Sequence, residues 1–288
     1  MKFFEETLYQ GQEGELGHGY SQRYEVSRVL FEEKTEHQHL VIFENARFGR
    51  ILALDGVIQT TEADESAYHE MLVHVPMFAL DNAKDVLIIG GGDGGTLREV
   101  LKHAAGNITM VEIDSRVIDL CAEFMPSLSN GAFDDPRANV VIDDGIKFVN
   151  ETNQKFDAII VDSTDPIGPG EVLFTKEFYG SCKKCLRPGG VLITQSGVPF
   201  FQCDELQRSN ERRRPHFADA DCYLTVVPSY IGGFMALGWA TDDLTLRDVP
   251  VEVLQARFGQ AGIQTKYYTP AVHAAAFALP AFIAELSH

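Results

Sequence analysis

The sequence predicts a doubly wound α/β domain behind a small N-terminal β domain. Three observations carry that prediction. After residue 64, short and nearly continuous apolar runs alternate with helical stretches, as parallel strands buried on both faces require. A glycine-rich loop follows the first of those runs directly. Before residue 64 the pattern is one of short strands between turn signals.

In the first part, strand candidates fall at residues 20–26, 29–34, 39–44, 50–54 and 57–60, with Gly49 and Asp55-Gly56 as turns. Asp-Gly between apolar runs signals a hairpin, because both positions tolerate positive φ. Residues 65–80 then read as a helix that Pro76 should kink or end. DVLII at 85–89 is the first buried strand, and a helix follows over about 95–103. Further strands are expected at 108–113, 140–142, 156–161 and 191–195, the last after the turn Arg187-Pro188-Gly189-Gly190, with a helix at 117–124. Two β runs at 222–227 and 234–240 close the pattern as an antiparallel hairpin on one edge. The expected whole is a Rossmann-like, methyltransferase-type sheet, mostly parallel with that edge hairpin, over residues 65–288. Residues 1–64 form the β domain before it.

Composition narrows the function. The 288 residues carry 42 Asp and Glu against 24 Lys and Arg, a formal net charge of −18. Such a field repels nucleic acid and anionic lipid and favours cationic ligands. Five cysteines do not suggest a disulfide framework. The start, Met1 to Glu6, has acid where a signal peptide is apolar, and the apolar tail at 271–284 is short of the ~20 residues of a membrane span. A cytoplasmic protein with no nucleic-acid or membrane partner is expected.

Ligands of an open α/β sheet bind beyond the carboxyl ends of its strands. Those ends deliver Gly90-Gly91-Gly92-Asp93-Gly94-Gly95, then Glu112 and Asp114, then Asp143-Asp144-Gly145, then Asp162-Ser163-Thr164-Asp165. Every one carries an acid, and no comparable set of Lys or Arg follows to neutralise them. The cation should therefore be the ligand. Gly90, Gly92 and Gly95 match G-x-G-x-x-G, with Glu112 about 20 residues on to hold a ribose diol. That pattern alone fits nicotinamide cofactors and S-adenosyl compounds equally. Asp93 decides against the first, because a carboxylate inside the loop repels a pyrophosphate and welcomes a sulfonium or ammonium. Asp162 and Asp165, rigidified by Pro166, suit amine groups, and residues 167–170 read as a lid.

Together VLIIGGGDGGTLREVLKH (86–103), TMVEID (109–114), VIDDG (141–145) and DSTDPIGP (162–169) resemble the polyamine aminopropyltransferases, and among them the bacterial spermidine synthases. GRILALDGVIQTTEADESAYHEML and YYTPAVHAAAFALP extend the resemblance over nearly the whole chain, less so at residues 11–19 and 205–215. The resemblance implies transfer of the aminopropyl group of decarboxylated S-adenosylmethionine to putrescine, giving spermidine and methylthioadenosine. It implies that Gln38, Gly90, Gly92, Asp93, Glu112, Asp144, Gly145 and Pro169 hold the nucleoside donor. Tyr68, His69, Gln59, Tyr230 and the run Asp162, Ser163, Thr164, Asp165 would line the polyamine side with Asp93, and Asp162 would accept the proton. It implies no permanently bound cofactor and a homodimer or homotetramer. Putrescine N-methylation, or another acceptor such as cadaverine, agmatine or spermidine, is the alternative.

Some features are read as structural. Cys182-x-x-Cys185 lies on a helix without redox context, and His69-Glu70 with His74 is one residue too long for a zincin. His37 and His39 flank Gln38 on one strand face, and no metal is expected. The run Arg212-Arg213-Arg214 is expected on a solvated helix face.

Overall fold

The computed structural model of the chain describes residues 2–6, 20–80, 82–165 and 168–287, without the side chains of Pro169 and Ser287. The Gly11 to Gly19 segment, and Pro166 and Ile167 of the expected lid, lie outside the described residues. A short strand the sequence did not announce, β1 (Lys2–Glu6), pairs antiparallel with β2 (Gln22–Val26). Then β3 (Arg28–Lys34), β4 (His39–Asn45), β5 (Gly49–Leu54) and β6 (Val57–Thr61) form an antiparallel meander. The β5–β6 hairpin turns on Asp55 and Gly56, whose φ values of 48° and 84° are those a tight primed turn demands. One face of this sheet buries Val41, Phe43, Ile51, Ala53 and Ile58 together with Tyr24 of β2. From the other, Leu40, Ile42, Leu52 and Leu54 share a core with Val117, Leu120 and Met125 beyond the sheet.

Helix α1 (Glu65–Ala79) is buried along its entire length. It runs through Pro76 for one further turn, ending where Leu80 N–H donates to the Pro76 carbonyl. Next come β7 (Asp85–Gly90), α2 (Gly95–Leu101), β8 (Asn107–Glu112), α3 (Ser115–Phe124) and α4 (Pro126–Ser129). They lead to β9 (Ala138–Ile142), α5 (Gly145–Glu151), β10 (Phe156–Asp162), α6 (Lys176–Cys185) and β11 (Leu186–Gln195). The chain closes with α7 (Cys203–Arg213), β12 (Asp219–Val226), β13 (Phe234–Thr241), α8 (Val251–Ala261), α9 (Pro270–Ala276) and α10 (Ala281–Ala284).

Seven strands make one sheet in the order β12-β13-β11-β10-β7-β8-β9. From β11 to β9 every pairing is parallel, while β13 lies antiparallel between β11 and β12. The expected doubly wound sheet with its edge hairpin is therefore present. The Arg187 to Gly190 turn survives as an interruption inside β11, since Leu186 opposes Phe156 but the next pair is Val191 with Ala158. The strand order reverses between β7 and β10, which is where such a sheet opens a crevice. No helix among the described residues is long and apolar enough to cross a membrane.

One expectation fails here. The arginine run does lie on a helix, α7, but Arg213 is completely buried. Its Nη1 donates to Thr194 Oγ1 at 2.7 Å, and Nη2 donates to Asn210 Oδ1 and to the Asp221 carbonyl. Helical spacing turns Arg213 inward at the β11–β13 seam, where Gly238 has no side chain to obstruct it.

Candidate active site

A cavity of about 530 Å³ opens beyond the carboxyl ends of β7, β8 and β10, well within the range of small-ligand sites. The two strands at the switch point meet there through their backbones. Gly91 N–H donates to the Asp162 carbonyl at 2.9 Å. Gly90, at φ +82°, lets that carbonyl approach so closely that a Cβ would stand 2.1 Å from it. The loop then turns into α2, and Asp93 Oδ1 accepts from Gly95 N–H at 2.7 Å. Its other oxygen lies 3.3 Å from His69 Nε2.

Asp162 sits between two hydroxyls. Tyr68 donates to Oδ1 at 2.8 Å and Thr96 to Oδ2 at 2.7 Å. Burial and the neighbouring Asp93 push the Asp162 carboxyl above its ordinary range, against the opposing pull of His69 and the two hydroxyls. Burial and the Asp162 charge likewise raise Tyr68, which therefore remains a donor. His69, Asp93 and Asp162 offer ligand atoms within 4.8 Å of one another. That spacing is compatible with a metal, yet each carboxylate also has a hydrogen-bond donor of its own, as an amine pocket would.

Asp165 is held by amides. Gln195 Nε2 donates to Oδ1 at 2.8 Å and Gln202 Nε2 to Oδ2 at 3.0 Å, and burial raises its carboxyl. On the far side, Tyr230 donates to the Gln59 carbonyl at 2.6 Å and its ring meets that of Tyr68 edge-on. Among the described residues the buried Ser163 hydroxyl has no hydrogen-bond partner, while Thr164 Oγ1 lies where a Cβ on Gly170 would reach.

The other half of the cavity is organised by β8. Glu112 Oε1 accepts from Asp114 N–H at 2.9 Å, and burial lifts the carboxyl to about 7. A Cβ on Gly92 would lie 3.0 Å from Glu112 Oε2, so the glycine gives that carboxylate its room. Asp114 caps α3 and accepts from Gln38 Nε2 at 3.1 Å. Asp144 caps α5 by accepting from Ile146 N–H at 2.7 Å, beside Gly145.

The cavity thus gathers Gln38, Gln59, Tyr68, His69, Gly90, Gly92, Asp93, Glu112, Asp144, Gly145, Ser163, Thr164 and Tyr230 with Asp162 and Asp165. Among the sequence candidates, the side chain of Pro169 alone lies outside the described part. Lining or supporting polar residues that sequence reasoning does not single out include Glu6, Thr96, Gln195 and Gln202. Gln195 ends β11, so the rule that ligands bind beyond strand ends points to it as it does to the acids of the other four strands. Glu6 carries no such signal. Its carboxyl is buried and raised to about 7 by that burial, with Oε1 accepting from Ile58 N–H at 3.0 Å.

Comparison with known proteins decides the family. A model of the spermine/spermidine synthase domain matches residues 65–249, and one of the spermidine synthase tetramerisation domain matches residues 5–62. The chain belongs to the spermine/spermidine synthase family. It is 56% identical over 286 residues to polyamine aminopropyltransferase 1 of Pseudomonas aeruginosa, covering 99% of this chain and 97% of that one. It is 54% identical over 265 residues to a polyamine aminopropyltransferase of Salmonella newport, covering 92% and 93%. Among solved structures, a spermidine synthase in complex with the transition-state analogue AdoDATO superposes with a TM-score of 0.92 at 37% identity, covering 99% of this chain and 94% of the other. The spermidine synthase of Thermotoga maritima gives 0.88 at 35% identity, with the same coverage. As a member of this family the chain is an aminopropyltransferase. Other chemistry-bearing motifs are structurally committed. Glu70 accepts from the backbone N–H groups of Lys266, Tyr267 and Tyr268 at 2.7, 2.8 and 2.7 Å, and Cys182 and Cys185 are buried free thiols on α6.

Proposed function

We propose that this aminopropyltransferase moves the aminopropyl group of decarboxylated S-adenosylmethionine to putrescine, giving spermidine and methylthioadenosine. The observation that carries the reading is the convergence of Asp93, Asp162 and Asp165 on one cavity, where neutral hydroxyls and amides hold the last two. Such a site has negative charge in excess and is suited to cations at several points.

Glu112 takes the ribose hydroxyls, with Gln38, Asp144, Gly145, the glycine loop and Pro169 contributing to the nucleoside site. Asp93 receives the donor's ammonium, which explains the choice of donor: ordinary S-adenosylmethionine would bring a carboxylate against it. Tyr68, His69, Gln59, Tyr230 and the Asp162 to Asp165 run line the polyamine path. Residues 1–64 cap the site and assemble the oligomer, a dimer or tetramer, around the catalytic part at 65–288. The enzyme works in the cytoplasm.

The amine nitrogen displaces a neutral thioether from the sulfonium in line, so positive charge moves from sulfur to nitrogen. A fixed carboxylate at Asp162 stabilises the ammonium as it forms and accepts its proton directly or through water. Ordinary values of ~10.4 for an amine and ~3.9 for aspartate differ by about 6.5 units, or roughly 9 kcal/mol. Burial of Asp162 narrows that gap, and desolvation of the amine narrows it further.

The test is methylthioadenosine release with putrescine and either donor. Release with the decarboxylated donor alone, together with spermidine, supports the reading. Reaction of ordinary S-adenosylmethionine to give S-adenosylhomocysteine and methylputrescine overturns it. A faster reaction with cadaverine or agmatine would instead correct the acceptor.

A further inference from the structure

Behind Asp93, His69 leads into a buried chain of alternating charge whose further members the reaction as described does not use. His69 Nδ1 is 2.8 Å from Glu65 Oε2, and the same oxygen accepts from Arg98 Nη2 at 2.7 Å. Arg98 Nε donates in turn to Glu99 Oε1 at 2.8 Å, and Glu99 Oε2 lies 2.7 Å from Lys102 Nζ at the surface. Glu65 and Glu99 are buried.

The two nitrogens of His69 therefore face two carboxylates, Glu65 at 2.8 Å and Asp93 at 3.3 Å. A neutral imidazole has one N–H to offer, whereas two carboxylate neighbours are matched by the two N–H groups of an imidazolium. The ring is also locked in place, because it packs where a Cβ of Gly95 would be, 2.3 Å from His69 Cε1.

We propose that Glu65, anchored by Arg98, is a positioning residue that holds His69 as an imidazolium facing the amine end of the cavity. The inference rests on the reading of Asp93 and Asp162 as the amine site. Carboxylates around an attacking amine raise its pKa and keep it protonated; a fixed cation beside them works in the opposite direction. The imidazolium also lets Asp93 and Asp162 stand close together while both are ionised. Among the described residues, the charged and titratable groups facing the ring are Glu65 and Tyr68 from α1, Asp93 from the loop before α2 and Asp162 from β10, while Arg98 and Lys266 reach it only through Glu65, at 2.7 and 3.8 Å. Burial alone would lower His69, but Asp93 and Glu65 outweigh it and hold the ring well above the ordinary histidine range. The charge is therefore present at neutral pH and is lost as pH rises through the raised value.

The test is ¹⁵N-histidine NMR of the full-length enzyme and of Glu65→Gln, with His69→Gln to assign the signal, alongside kcat/KM against pH. The wild-type ring should be doubly protonated near pH ~8, and in Glu65→Gln it should titrate at least ~1 unit lower. The wild-type to Glu65→Gln ratio of kcat/KM should grow about tenfold from pH ~6.5 to ~8.5. A constant ratio would mean that Glu65 only supports the fold, and a neutral His69 in the wild-type enzyme overturns the proposal even if the variant does not fold. An Asp93→Asn enzyme with unchanged KM for both substrates would instead overturn the reading of the amine site, while the NMR result on His69 would stand by itself.

Discussion

Tyr68 on α1 and Asp162 at the end of β10 are joined by a 2.8 Å hydrogen bond, with the hydroxyl donating to Oδ1. The bond couples a helix buried along its whole length to the strand that carries the proposed proton acceptor. With Thr96 on Oδ2, it fixes both oxygens of a carboxylate that burial and Asp93 push upward. Asp162→Asn should lower kcat at least ~100-fold, the low end of general acid–base effects. Tyr68→Phe should lower it about 10-fold, the worth of one hydrogen bond to a charged group. Steady-state kinetics with saturating substrates decides, and near-normal turnover in Asp162→Asn would end its assignment.

Glu112 makes a stability prediction whose sign follows from burial. Its carboxyl rises from an ordinary 4.5 to about 7 in the fold. A group raised in this way favours the folded state below its unfolded value, and that contribution is lost as pH rises through the folded value. Near pH ~8 the buried carboxylate therefore opposes folding by at most about 3 kcal/mol. Glu112→Gln, which keeps an oxygen for Asp114 N–H, should be more stable than wild type at that pH. The advantage should fade toward pH ~4.5, while methylthioadenosine affinity drops at least ~10-fold at pH ~8. Urea titrations at the two pH values, with calorimetry of the nucleoside, measure both; equal stability at pH ~8 would refute the raised carboxyl.

Gly95, the third glycine of the loop motif, owes its identity to His69. A Cβ there would lie 2.3, 2.4 and 2.7 Å from three atoms of the imidazole, and Glu65 and Asp93 hold the ring from both sides. Gly95→Ala should destabilise the fold by about 1–3 kcal/mol, as overpacking does. In a His69→Ala background the same change should cost under ~0.5 kcal/mol. A double-mutant cycle in urea tests this, and equal effects in both backgrounds would show that the contact is not what requires glycine.

Those residues also show what the sequence can reveal. Asp93, Glu112, Asp144 and Asp162 were legible because a buried parallel strand is a short apolar run, and whatever follows it must stand at the sheet's carboxyl edge. The β5–β6 turn was legible because Asp55-Gly56 is a local conformational demand. Glu6 was not, because β1 is too short and too polar to show alternation and earns its place by pairing with β2. Gln202 reaches Asp165 from the loop before α7, and loop geometry leaves no periodic trace. The charge state of His69 depends on Glu65 and Asp93, and Asp93 adjoins it only once α2 packs on α1.

Arg213 is the sharpest case of tertiary context overriding local pattern, and it carries the last prediction. Three arginines in a row read as solvated surface, yet one of them is fully buried. Its guanidinium donates to neutral oxygens, Thr194 Oγ1, Asn210 Oδ1 and the Asp221 carbonyl, and lies 5.8 Å from the Tyr179 ring centroid. Burial pulls its pKa below the ordinary guanidinium value, though that value is high enough to leave the charge in place. A buried cation of this kind braces α7, β11 and β12 together, just behind the strand end that presents Gln195 to Asp165. Arg213→Ala removes the fork, strips its acceptors of that donor and opens a cavity, so it should destabilise the protein by about 3 kcal/mol or more. Arg212→Ala, one residue away and half-exposed, should cost under ~1 kcal/mol. Urea unfolding of the two variants compares them directly. Similar, small losses would return Arg213 to the solvated face that the sequence alone suggests.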